Sequence, residues 1–168
     1  MNASKALLKG VYHCEIRTVD GAVRDTFSVG NLVPATGLNH MLSSTLGETS
    51  QITSWYMGLL GNITPADGTT MATVAANEVT AYDEYSTSRP DYTPDGASTA
   101  KKITNAASPA VFTCSTDSTS VYGMFLASST SGSTGVLLSA ATFSTTKTLD
   151  DGETLTVTYE LTAADDGA

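Results

Sequence analysis

The chain has 168 residues, of which 40% are hydrophobic and 15% charged, with 17 acidic against 8 basic side chains and a formal charge of −9. That length suits one domain with its own core, and low charge with heavy Ser and Thr use suits strands and turns better than a helical bundle. The acidity excludes nucleic acid as a natural partner, because such binding needs Lys and Arg along the phosphates, and no apolar run approaches the roughly 18 to 20 residues of a membrane span.

The opening residues, MNASKALLKGVYHC, lack the apolar stretch of a signal peptide. Synthesis in the cytoplasm is therefore expected, with Cys14 and Cys114 kept reduced. Residues 1–9 read as a loose polar segment. In KGVYHCEIRTVDGAVRDTFSVGNLV, β-rich runs flank Asp20-Gly21, which predicts a hairpin with strands near 10–18 and 22–29 and a type I′ turn.

In NLVPATGLNHMLSSTLGE, Leu38, Met41, Leu42 and Thr45 recur at helical spacing, predicting one short helix near 36–46 with Thr36 as a possible cap and Gly47 as its stop. SWYMGLL then reads as a buried strand over 54–60. From Ile63 to Lys102 the chain is polar and holds Pro65, Pro90 and Pro94, which predicts a long loop with at most short pieces of strand or helix. Strand-like runs follow at 108–115, 119–129, 135–144 and 152–163. In the last, Leu155, Val157, Tyr159 and Leu161 alternate with Thr154, Thr156, Thr158 and Glu160, so one face is buried and one wet. A frayed tail is expected over 163–168. The whole pattern predicts one all-β domain, a jelly-roll-like antiparallel β-sandwich.

Signals for catalysis are sparse. His13 and His40 stand in no metal-binding spacing, and no phosphate loop, dinucleotide fingerprint or nucleophile elbow occurs. Ser98 to Lys101 matches S-x-x-K, without the S-D-N or K-T-G partners of that chemistry. The acidic clusters at Asp150–Glu153 and Asp165–Gly167 lack the ligand spacing of a calcium loop and read as turns. Neither enzymatic activity, nor a metal, nor a cofactor is expected.

Trp55 and Tyr56 are neighbours in a predicted strand and must face opposite ways. The larger and more apolar Trp55 is expected inward, with Tyr56 outward or at an interface. Tyr82, Tyr85, Arg89 and Tyr92 in the long loop are the other interface candidates, since Tyr and Arg are enriched in tight contacts. The same residues could instead pin the loop to its own sandwich.

Taken in order, NLVPATGLNHMLSSTLG, SWYMGLLG, AYDEYSTSRP, ITNAASPAVFTCS, VYGMFLASS, GVLLSAATFS and DGETLTVTYEL resemble the capsid decoration, or cement, proteins of tailed bacteriophages, over about Asn31 to Leu161. The resemblance implies a homo-oligomer, a dimer or trimer, made in the host cytoplasm and bound to the major capsid protein on the outside of the virion head, where it stiffens the lattice. It carries over no catalytic residue. The alternative is a carbohydrate- or receptor-binding sandwich of a phage tail or fibre. A solvent-facing Trp55, or a cleft lined by two or more of the tyrosines, would favour that alternative, and a buried Trp55 beside a flat, symmetric contact surface would favour the shell.

Overall fold

In the computed structural model, which describes residues 6–165, the chain runs β1 (Ala6–Arg17), β2 (Val23–Gly30), α1 (Ala35–Leu46), β3 (Trp55–Leu60), α2 (Met71–Ala75), β4 (Glu78–Val79), a 3-10 turn (Asp83–Ser86), β5 (Asp91–Tyr92), β6 (Lys102–Thr104), β7 (Ala110–Thr113), β8 (Thr119–Ala127), β9 (Leu137–Leu149) and β10 (Thr154–Asp165). The strands form two antiparallel sheets. The first has the order β2-β1-β10-β6, with β7 also on β10; the second has β4-β3-β8-β9, with β5 also on β3. This is the expected all-β sandwich. Pairing of the first strand with the last, and of β3 with β8, is the nested pairing of a jelly roll. The adjacent hairpins β1-β2 and β8-β9 depart from it.

Period-two patterning places the main core between the sheets. Tyr12, Cys14 and Ile16 of β1 and Leu155, Val157 and Tyr159 of β10 are buried there against Met57, Leu59, Met124 and Leu126 of the second sheet. A second cluster lies on the far face of the second sheet, where Leu60, Phe125, Ala127, Leu137 and Ala140 pack against Met71 and Val74 of α2. Parts of β3 and β8 are therefore buried on both faces, which is why MGLL and GMFLA read as continuous runs without alternation.

Several boundaries differ from the sequence expectations. Ala6–Lys9, expected to be loose, continue β1, and Ala163–Asp165, expected to fray, continue β10, because Ala6 to Lys9 pair with Asp165 to Thr162 and satisfy their backbone groups across the sheet. Residues 1–5 and 166–168 of those two predicted segments lie outside the described residues. The Asp20-Gly21 hairpin forms, but only Gly21 has positive φ, and the Gly21 amide donates to Thr18 O at 2.8 Å. The loop is thus a type I turn closed by a left-handed glycine, not type I′.

α1 matches the predicted helix within one residue, yet its inward side is set by Gly37 resting on the β9 backbone at Leu137 and Leu138. Thr36 does not cap the helix; its hydroxyl donates to Leu137 O at 3.2 Å. Leu38, Leu42 and Leu46 are left outward, 38%, 62% and 85% exposed. The long loop contains only short elements, as expected, but its first half is the cover over the second cluster.

Candidate functional site

The sheets part at the α1 end of the sandwich, and a cleft of about 420 Å3 opens between them. Local strand chemistry explains its aromatic wall. Trp55 begins β3 and Tyr92 ends β5, and the two stand directly opposite each other in an antiparallel pair, so their side chains share a face. Tyr92 meets Tyr159 of β10 edge-on at 5.9 Å between centroids, and His40 of α1 meets Trp55 edge-on at 5.9 Å. Met41, Ile103, Leu126, Leu138 and Leu161 give the cleft its apolar surface, while Ser44, Thr45, Gln51 and Thr53 add hydrogen-bonding groups.

Trp55 is half-buried, packed on the core along one side and open to the cleft along the other. It was expected inside the core. The period-two argument correctly chose its face of the strand, but that face lies at the unsealed end of the sandwich. Tyr56 points to the opposite face and is also half-buried.

Beneath the cleft lies a network of tyrosine hydroxyls. Tyr12 shares a hydrogen bond with Ser139 Oγ at 2.5 Å, and the Asn31 amide donates to the Tyr159 hydroxyl at 3.2 Å. Burial pushes the Tyr12 and Tyr159 hydroxyls above the usual phenol range, so both stay neutral donors and acceptors. Tyr92 is raised likewise, by burial first and then by Tyr159 and Asp95. Its hydroxyl is buried and has no hydrogen-bond partner among the described residues. Leaving such a group unpaired costs about 1–3 kcal/mol.

The loop residues expected at an interface fall differently. Arg89 is 0% exposed and spends its guanidinium on the protein itself: Nε and Nη2 donate to the two Glu78 carboxylate oxygens, Nη1 to Ser129 O and Oγ, and Nη2 also to Gly132 O. All five N–H donors are then used, and no hydrogen bond remains for a partner. Tyr82 is 3% exposed and sits edge-on to both Phe112 and Tyr85. Tyr92, at 8%, forms the cleft wall. Tyr82, Arg89 and Tyr92 are therefore buried within this chain and pin the loop to its own sandwich, the second of the two roles expected for them. Tyr85 is half-buried against the same core. Tyr82 and Tyr85 touch each other and lie beside the Arg89–Glu78 pair, whereas Tyr92 stands apart in the cleft wall.

Two features escaped sequence reasoning. One is the cleft, whose lining combines α1, β3, β5, β6, β8, β9 and β10. The other is the bare outer face of the first sheet. There Lys9, Val11, His13, Glu15 and Arg17 of β1 lie beside Thr154, Thr156, Thr158, Glu160 and Thr162 of β10, all exposed or half-exposed, with Thr26 and Ser28 of β2 alongside. His13 Nδ1 lies 2.8 Å from Ser28 Oγ. Among the described residues no carboxylate hydrogen-bonds to that pair to complete a catalytic arrangement.

Ser98 and Lys101 do not sit one helical turn apart. They belong to a tight turn in which Thr99 and Lys102 exchange backbone hydrogen bonds and Ala100 and Lys101 both have positive φ. The carboxylates of Asp150 and Glu153 accept from the backbone amides of Ser118 and Asp150, and Glu153 also meets Arg24 at 2.9 Å, so this acidic cluster ties down its own turn. Among the described residues no three His, Cys, Asp or Glu side chains gather to hold a metal ion, and no helix is long and apolar enough to cross a membrane.

No protein-family model matches the chain, and no curated protein or solved structure is significantly similar to it. Fold and site together define an antiparallel β-sandwich with one bare polar face and an aromatic cleft at the end of its sheets.

Proposed function

We propose that this chain is a non-enzymatic virion structural protein that lies on the outer surface of a bacteriophage head, binds the major capsid protein and stabilises the lattice as a homo-oligomer. The observation that carries the reading is the asymmetry of the sandwich: the second sheet is roofed by α2 and its connections, while the first sheet is bare. Four strands spaced about 4.8 Å, with two of them a dozen residues long at about 3.3 Å per residue, give a face on the order of 700 Å2. A specific interface covers about 800 Å2 per partner. The face is rich in Thr, has both signs of charge and includes exposed Leu7 and Val111, a composition suited to a broad wet contact repeated by symmetry.

The test is to mix purified protein with expanded heads that lack it and image them. Added density at regular lattice positions is expected, reduced by Thr156→Arg or Thr158→Arg on the bare face. Absence of added density at saturating protein overturns the reading. A second reading, a carbohydrate- or receptor-binding sandwich of a tail or fibre, is favoured by one observation: Trp55, Tyr92 and Tyr159 line a single cleft.

A further inference from the structure

The cleft has a chemical character that narrows what can occupy it. In a chain of net charge −9, no Asp, Glu, Lys or Arg among the described residues lines it. An anionic ligand would lose its hydration there and meet, in place of a counter-charge, the Asp95 carboxylate whose field already reaches Tyr92. A wholly apolar ligand fits poorly too, because it would cover hydrogen-bonding groups such as Gln51 and Thr53 and leave the Tyr92 hydroxyl unpaired. Its volume lies within the roughly 300–1,000 Å3 of small-molecule sites. An uncharged molecule with one apolar face and a rim of hydroxyls satisfies both constraints.

We propose that the cleft binds an uncharged sugar ring, which lies on the open side of Trp55 and hydrogen-bonds to the unpartnered hydroxyl of Tyr92. The inference rests on the second functional reading for its class of ligand and adds the site, the charge and the two residues. Trp55 offers a flat surface for the C–H face of a pyranose, held in place by His40 on one side and by its strand partner Tyr92 on the other. The Tyr92 hydroxyl is fully buried behind the cleft wall, so a ligand reaches it only as the Tyr92 ring shifts toward the cleft, where it can both donate and accept. A ligand hydroxyl reaching it supplies the missing partner.

Trp55 is the only tryptophan of the chain, so its emission reports on this cleft alone. The intact protein is titrated with neutral methyl glycosides of glucose, galactose, mannose, rhamnose and N-acetylglucosamine, with glucuronate as the acidic control and indole as the apolar one. At least one neutral glycoside is expected to shift the emission saturably up to tens of millimolar, with glucuronate weaker. Tyr92→Phe is expected to weaken that binding about fivefold to tenfold, the loss of one buried hydrogen bond, while its thermal transition stays at or above that of the parent. Trp55→Ala has no tryptophan emission to follow, so the same glycoside is titrated into parent and variant by calorimetry, and the variant is expected to show no binding heat.

Silence from every neutral glycoside overturns the proposal, as does a response to indole alone or an equal response to glucuronate. A glycan array run on the parent and on Trp55→Ala separates the two levels. Array binding that survives Trp55→Ala defeats the cleft site and leaves the glycan-binding reading standing; no array binding by the parent defeats that reading itself.

Discussion

Arg89 and Glu78 form a two-pronged ion pair inside the protein, Nε to Oε1 at 2.7 Å and Nη2 to Oε2 at 2.6 Å, with side chains 0% and 1% exposed. The guanidinium also lies over Phe125, 5.2 Å from the ring centre, and through Ser129 and Gly132 it holds the loop between β8 and β9. Removing one partner leaves the other charge buried and alone. Arg89→Ala or Glu78→Ala should therefore cost about 3–5 kcal/mol in urea unfolding, and the double variant Arg89→Met with Glu78→Leu should cost less than either. Single-variant losses that simply add in a double alanine variant would show that the two groups act independently.

The turn at Ala100 and Lys101 stores strain that sequence can relieve. Both residues are left-handed, φ 49° and 61°, a conformation that costs an L-residue about 1–2 kcal/mol. Replacing Ala100 with Asn and Lys101 with Gly should raise stability by about 1 kcal/mol each, seen as an upward shift of the thermal midpoint with the spectrum unchanged. A downward shift would mean that the turn is not held in this form.

Acid should weaken the edge pairings before the core. A hydrogen bond from Lys147 holds the Asp25 carboxyl below its ordinary range, and one from Lys102 does the same for Glu160. Groups with depressed folded pKa values contribute stability above their unfolded values, about 3.9 and 4.3, and lose it as pH falls through the folded ones. Stability should therefore be level above about pH 5 and decline below about pH 4. Asp25→Asn should flatten part of that decline, and salt should shrink the difference because both carboxylates are partly exposed, 40% and 30%.

Burial pushes the Cys14 thiol up to about 12, against a weak opposing effect of Lys147. At pH 8 its thiolate fraction is roughly a thousandfold below that of a free cysteine. Ellman's reagent should leave Cys14 untouched in the native protein and titrate it once denaturant is added. Cys114 is buried as well, held toward Thr116 O and Leu149 O, so both thiols should appear together on unfolding. Rapid native modification of either one would show that its wall of the core opens locally.

Legibility in the sequence followed how many faces of an element are buried. β10 has one, and its alternation of Leu, Val and Tyr with Thr declared both the strand and its orientation. β3 and β8 have two, so their length was visible as apolar runs while the identity of their second cover was not. That cover, Met71 and Val74, sits in a polar segment whose two apolar residues make no periodic signal. The very short β4 and β5 owe their form to the edge of β3 and have no pattern of their own.

The candidate site was legible in its residues and not in its geometry. Trp55, Tyr92 and Arg89 were singled out by type. Arg89 turned inward because Glu78, eleven positions earlier, meets it under the second sheet, and no spacing rule joins such a pair. The cleft depends on where two sheets stop touching. Its lining draws on residues from His40 to Leu161, a convergence with no local trace in the chain.

Sheet completion has an order imposed by synthesis. The central pair of the first sheet joins Ala6 to Asp165 and Arg17 to Thr154, strands from opposite ends of the described chain, whereas β3, β8 and β9 all emerge before β10. While the ribosome is still at work, the β1-β2 hairpin has no neighbour on its inner edge, and the second sheet can assemble without it. Pairings of such high contact order fold slowly, on the scale of milliseconds to seconds. The first sheet therefore waits for β10, and until β10 docks, β1 presents an open strand edge that a chaperone or a second nascent copy can meet first.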